Sequence, residues 1–165
     1  GFTEWSDVLD LLDAQPGKQV LSNSYRLIKD RDYLLLSKIN MDADNEILIA
    51  ENTRKLKTPF GILFFDQADA VLEKMKNVIY VDNDKLQFPL KLRKKVQGDV
   101  FYPLGMTGKK KLSKYFKDEK LSLLDKENTW LLCSENDIVW VVNKRADNRF
   151  KVTENTKNIL KIRLD

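Results

Sequence analysis

The chain has 165 residues, 42% apolar and 33% charged, with 29 Lys+Arg against 25 Asp+Glu, one Cys and no His. This length buries about 68–70% of the unfolded surface, and the apolar content is too high for a disordered tail. Without His there is no Ser–His or Cys–His nucleophilic pair and no His general base, and a single Cys makes neither a zinc cluster nor an internal disulfide.

No apolar run approaches the roughly 20 residues that span a bilayer, so no membrane partner is expected. No basic stretch followed by an apolar one opens the chain, so no secretory signal is expected. Gly1, where a Met would be expected, reads as a processed or engineered start and the chain as a piece of a longer one.

Trp5, Val8, Leu9, Leu11 and Leu12 stand at near-helical spacing, with Ser6 as N-cap and Pro16-Gly17 as terminator. Runs 19–21, 24–29 and 33–37 read as strands, the last two joined by an Asp30-Arg31-Asp32 turn. Runs 46–50 and 60–65 are also strand-like. Ala68, Val71, Leu72 and Met75, at i, i+3, i+4 and i+7, predict a two-turn helix. Runs 78–81 and 86–92 read as strands, and Pro89 argues that the second is an edge or bulged strand. A turn-rich stretch, 97–108, leads into a helix predicted over 109–119. Ser122-Leu-Leu-Asp125 has capping-box form. Runs 130–133 and 137–142 form a strand pair around Ser134-Glu135-Asn136, and 150–152 and 159–164 are the last strands. The expected class is α+β, with mostly antiparallel short strands and a few short helices.

The charge is uneven along this order. Residues 1–87 hold 11 basic and 15 acidic side chains, 88–120 hold 10 and 3, and 121–165 hold 8 and 7. The middle block is therefore net +7, which suits either a polyanion or a solvated, solubilising face. The change near residue 88 is the best internal boundary. It divides the chain into 1–16, the end of a preceding helical domain or a linker; 17–87, a β-rich connecting subdomain; and 88–165, the basic C-terminal domain.

Several motifs carry less than they promise. Gly105-Met-Thr-Gly108-Lys109-Lys110 lacks the spacing and the Ser/Thr of a Walker loop, and it follows an extended segment, unlike the KH loop. Asp42-Ala-Asp44-Asn-Glu46 has Ile47 where an EF-hand needs Gly, so it reads as a turn. Trp130, Trp140 and Phe150 suit a core better than base stacking. Cys133, among Leu131 and Leu132, reads as a small buried apolar residue. Arg145-Ala-Asp147-Asn-Arg149 is either an ion-paired turn or a second phosphate-contacting group. A predicted helix opening on Lys109-Lys110-Lys111 places three ammoniums at the positive end of its dipole, an unfavourable arrangement that a phosphate would relieve.

Leu92-Arg93, Gly98-Asp99, Phe101, Pro103-Leu104-Gly105-Met106, Gly108 through Ser113 and Asp118-Glu119-Lys120 together resemble one known module. Trp140, Arg145, Asp147 and Arg149 through Thr153 continue it. The module is the C-terminal domain of bacterial tRNA(Ile)-lysidine synthetase, a layered α+β fold similar to a domain of the phenylalanyl-tRNA synthetase β chain. Upstream, Gln15 through Ser22 and Arg31-Asp32-Tyr33 are similar to the stretch that joins the family's helical middle domain to it. Lys95-Val96, Lys114 and Asn143 depart from the family pattern, although Asn tolerates the left-handed backbone of the Gly it replaces.

The resemblance implies a ligase that adenylates the wobble cytidine of tRNA(Ile) with ATP and Mg and then joins lysine to it, in the cytoplasm. That chemistry belongs to an N-terminal domain whose Ser-Gly-Gly-x-Asp-Ser loop is not in this sequence. This stretch alone is therefore expected to be inactive, with no catalytic or metal-ligating residues and no cofactor of its own. The implied partners are the tRNA(Ile) acceptor stem, the enzyme's N-terminal domains and, through a homodimer, a second copy. Arg93, Lys109, Lys110, Lys111, Ser113, Lys114, Arg145 and Arg149 are the expected tRNA contacts. Gly98 and Asp99 are expected to shape a turn. The alternative is a non-catalytic interaction module whose basic face docks an acidic partner or the enzyme's other domains.

Overall fold

The structure, a computed structural model, describes residues 1–39 and 46–165. The EF-hand-like Asp42 and Asp44 lie outside the described residues. The chain forms two compact units. The smaller holds the described residues before the gap together with Leu121–Lys126, and the larger holds the rest.

In the smaller unit, α1 (Trp5–Asp10) continues as one 3-10 turn, Leu11–Asp13. The helix starts one residue before Ser6, with Glu4 at the N-cap, so Ser6 is not the cap. A three-stranded antiparallel sheet follows, β1 (Gln19–Leu21), β2 (Tyr25–Asp30) and β3 (Tyr33–Lys38). Arg31, at φ 54°, makes the tight β2–β3 turn. Ile28 and Leu11 are buried, and the Lys29 ammonium donates to the Leu12 carbonyl at 2.6 Å.

The larger unit begins with β4 (Ile47–Ile49), β5 (Lys55–Thr58), β6 (Gly61–Ala68), β7 (Val78–Asp82) and β8 (Leu90–Lys94). Then come β9 (Val100–Phe101), β10 (Lys110–Lys111) and α2 (Leu112–Asp118). Next in the chain is α3 (Leu123–Asn128), whose residues up to Lys126 belong to the smaller unit and which opens on the Ser122 hydroxyl accepting the Asp125 N–H. The chain closes with β11 (Trp130–Ser134), β12 (Asp137–Val141), β13 (Arg145–Ala146) and β14 (Ile159–Leu164).

Every pairing is antiparallel. One sheet runs β13-β12-β11-β8-β4, a second runs β5-β6-β14-β7, and β9 pairs with β10. The two larger sheets share one core: Ile49, Leu92, Leu132 and Trp140 from the first meet Leu63, Phe65, Ile79 and Ile162 from the second. β11 is buried on both faces, Trp130 and Leu132 in that core and Leu131 and Cys133 also enclosed. Burial pushes the Cys133 thiol up to about 11, as expected of a small core residue. Gly61 is required where β14 ends: a Cβ there would stand 2.5 Å from the Asp165 carbonyl, and its φ is +141°.

Three expectations are corrected, and the charge boundary near residue 88 differs from the division into compact units. Residues 69–77 form neither helix nor strand, and Val71, Leu72 and Met75 are exposed. Two turns of helix are too short to persist without a surface to bury against. Pro89 precedes β8 instead of sitting inside it, and β8 lies between β11 and β4, so it is not an edge. Asn148–Phe150 is a 3-10 turn with one bridging residue after it, Lys151, in place of a strand. Residue 88 is not where the compact units divide, because β4 shares a sheet with β8, and β6 and β7 flank β14. Asn143 does take the left-handed backbone, at φ 61°.

Candidate functional site

The lysine run does not open a helix. Lys110 and Lys111 pair as β10 with Phe101 and Val100, and α2 starts at Leu112, with extended Lys111 as its N-cap. The reason is packing: Phe101, Leu112 and Phe116 are fully buried, and pairing β10 with β9 joins these neighbours. The run itself therefore stays outside the first turn of α2, with Lys111 at the N-cap, but Lys114 is the third residue of the helix, so the unfavourable dipole contact read from the sequence is reduced and not removed. Lys117 sits in the last turn, where the dipole favours it.

Strand alternation sorts the run. Lys110 turns to a half-buried position and pairs with Asp118 at 2.6 Å, which holds the Asp118 carboxyl below the usual range. Lys109 and Lys111 are exposed, as are Ser113, Lys114 and Lys117 on α2. Among the described residues no ion pair engages the ammoniums of Lys109, Lys111, Lys114 or Lys117. Lys111 and Ser113 line a concavity of about 440 Å³ together with Lys95 and residues 96–99. The sequence reading left Lys95 and Lys117 unassigned. Lys95 was legible only as a departure from the family pattern, and its ammonium stands 5.9 Å from the Phe116 ring centre.

The concavity's floor is built by Asp99. Its two carboxylate oxygens accept both Nη groups of Arg93 at 2.9 Å each, and one also accepts the Val96 N–H at 2.8 Å. Its carbonyl accepts the Leu112 N–H that opens α2. Gly98, at φ 88°, closes the turn. Both were expected to shape a turn, and they do. Arg93 was expected to meet phosphate. Its fork is taken by Asp99, which also raises its pKa, and its side chain is only 15% exposed. It positions the turn under Lys95 and Lys111.

Arg145 and Arg149 lie on a different stretch and are also engaged. Arg145 Nη1 donates to the Leu104 carbonyl at 2.9 Å. Arg149 donates Nε and Nη2 to Asp147 and Nη1 to Asp137, each at 3.0 Å, and its guanidinium lies 4.4 Å from the Tyr102 ring centre. Asp147 is buried and also accepts the Tyr102 and Arg149 N–H groups at 2.8 Å. Of the two readings left open for 145–149, the ion-paired turn describes Arg149. Among the described residues no group of three or more His, Cys, Asp or Glu could hold a metal ion.

Residues 1–39 match the TilS substrate binding domain, and residues 90–164 match the TilS substrate C-terminal domain. The chain is 43% identical to the tRNA(Ile)-lysidine synthase of Parabacteroides distasonis over 97% of its own length and 38% of that protein's. The chain belongs to the TilS family. It is also 39% identical to the tRNA(Ile)-lysidine synthase of Bacteroides thetaiotaomicron, over 93% of this chain and 34% of the relative. It thus spans little more than a third of the TilS relatives it matches. A crystal structure of a TilS C-terminal domain superposes with a TM-score of 0.59 at 19% identity, over 73% of this chain and 98% of that one, and shares its fold. Among the described residues no helix is long and apolar enough to cross a membrane.

Proposed function

We propose that this chain is the tRNA-docking portion of a tRNA(Ile)-lysidine synthase, holding the acceptor stem by its phosphates. The observation that carries this is a set of exposed lysines with no ion-pair partner among the described residues: Lys109 just before β10, Lys111 on it, and Lys114 and Lys117 on α2. Ammonium groups free of protein carboxylates can exchange counterions for RNA phosphates, which is the main source of non-specific affinity. Ser113 and Lys95 complete the concavity as a hydrogen-bond donor and a further cation. Base-paired RNA is read through shape, phosphates and 2′-hydroxyls, so this face gives limited base specificity. Lys110 and Arg93 support the surface from within it, through their carboxylate partners.

The ligase chemistry, with its ATP and Mg, is assigned to the N-terminal domain of the family's enzyme, working in the cytoplasm. With lysine, ATP and tRNA(Ile), this chain alone turns nothing over. Trp5, Leu9, Leu12, Tyr33 and Leu36 are exposed apolar residues of the smaller unit and favour a second role, contact with the enzyme's other domains or with a second copy. Sedimentation of the full enzyme with and without Tyr33→Glu tests the dimer. The docking reading is tested by tRNA(Ile) affinity across a salt series. Binding weakens steeply as salt rises, and Lys109/Lys111/Lys114→Ala removes most of it. Equal affinity of the triple variant would overturn the assignment.

A further inference from the structure

The larger unit has a second concavity, of about 650 Å³, away from the β10–α2 lysines. One wall is the irregular segment 71–76, and the others include Tyr80, Leu104, Trp140, Arg145 and Val152. Its polar inventory is rich in donors. Trp140 is fully buried, and its indole N–H has no partner among the described residues. The Nε–H of Arg145 is likewise buried and unpaired. Both groups can only donate, and the buried, unpartnered Tyr80 hydroxyl on the same lining can donate or accept. The ammoniums of Lys74, Lys76, Lys144 and Lys151 add positive charge. The one carboxylate on the wall, Glu73, is taken by Lys161 at 2.8 Å.

Buried donors in native proteins nearly always find an acceptor, so two unpaired ones in a single wall point to a ligand that supplies it. That ligand carries acceptors and negative charge. Val71, Met75, Leu104 and Val152 also give it an apolar body to lie against. A carboxylate metabolite satisfies the charge only. A phosphorylated nucleoside satisfies both, its phosphate on the lysines and its heteroaromatic base against the apolar wall and the donors. We propose that this cavity binds a nucleoside phosphate and that, in the docked RNA, it receives one unpaired nucleotide. This second clause rests on the RNA-docking reading.

The cavity is joined to the lysine face. Leu104 belongs to the connection between β9 and β10, and Arg145 both donates to the Leu104 carbonyl and lies beside Tyr115 of α2. The Trp140 and Arg145 donors are shielded from water, so a base reaches them only when a wall of the cavity moves.

The chain has three Trp, so its proton–nitrogen spectrum carries three indole signals, and Trp140→Phe identifies one of them. The whole chain is titrated with adenosine monophosphate, with tRNA(Ile) bearing its unpaired 3′ nucleotides, with the same tRNA trimmed flush, and with polyglutamate. The Trp140 signal moves with the mononucleotide and with intact tRNA, and stays still with trimmed tRNA. Trimming weakens binding about tenfold, the order of one base–aromatic stacking contact. Lys144→Ala and Met75→Glu, at the rim, each weaken intact tRNA by roughly threefold and leave flush tRNA unchanged. They serve if Trp140→Phe fails to fold.

A still Trp140 signal with both mononucleotide and intact tRNA overturns the proposal, as does movement with polyglutamate alone. Equal binding of intact and trimmed tRNA, abolished by the Lys109/Lys111/Lys114 variant, overturns the cavity and leaves the docking reading standing. Movement with the mononucleotide and no tRNA binding supports the nucleotide site and overturns the docking reading.

Discussion

The β10–α2 segment and the 145–149 segment are both rich in cations, yet the protein uses them in opposite ways. In 145–149, Arg149 is enclosed by Asp147, Asp137 and Tyr102. On and beside β10 and α2, Lys110 finds a carboxylate, and Lys109, Lys111, Lys114 and Lys117 find none among the described residues. Cation count is therefore a poor guide to ligand contact. What decides is whether a carboxylate lies within reach. A forked guanidinium that fits one is committed to the fold, while an extended ammonium without one stays open to an anionic partner.

That contrast can be broken by mutation, and the largest effect is expected at Asp147. Asp147→Ala removes the buried carboxylate that accepts four hydrogen bonds and leaves Arg149 with Asp137 as its one carboxylate partner among the described residues. Stability falls by about 2–3 kcal/mol, below the cost of breaking a fully buried pair because Arg149 is one third open to water. Urea unfolding measures this, and the tRNA affinity of the folded fraction changes little. Next, Lys109/Lys111/Lys114→Ala leaves stability within about 0.5 kcal/mol. It lowers the salt slope of tRNA binding by about 2–3, at 0.7–0.9 per phosphate contact. If Arg149→Ala reduces that slope more than the triple variant does, the contrast is wrong.

Arg93→Lys sharpens the same comparison. It keeps the charge and loses the fork on Asp99, costing about 1–2 kcal/mol by urea unfolding with a smaller change in affinity than the triple variant. Lys110→Ala has the smallest effect on binding, with a slope change below about 0.7. Its signature is instead a rise in the Asp118 pKa by carboxylate NMR. Asp118 is held below its usual value when folded, so its contribution to stability is present above the ordinary Asp range and lost as pH falls through the lowered value. The Cys133 thiol behaves in the opposite sense. With its folded value pushed up to about 11, its contribution is complete below the unfolded thiol range and lost as pH rises towards 11, so alkylation of the folded chain at pH 8 is negligible.

Much of the site was legible in sequence, and two failures show where legibility ended. The net +7 block pointed to the segment that carries the exposed lysines, and the Gly98-Asp99 pair to a turn that the structure forms. The helix expected over Ala68–Met75 had the correct period, but periodicity says only that one face is apolar, not that anything covers it. The helix expected to begin at Lys109 failed because buried Phe101, a residue ten positions away from Lys111, sits on the strand that pairs with β10. Asp118 and Asp147 were visible as acids, but nothing local says that one neutralises Lys110 and the other encloses Arg149.

The sequence by itself determined the class, the family, most strands and the sign of the charged face, because alternation, turn residues and motif order are local properties. Only the tertiary structure decided which cations are free, that β14 enters between β6 and β7, and that Trp140 and Arg145 leave donors unpaired beside one cavity. Those outcomes depend on contacts between residues far apart in the chain, where sheet pairing and burial choose a partner for each polar group.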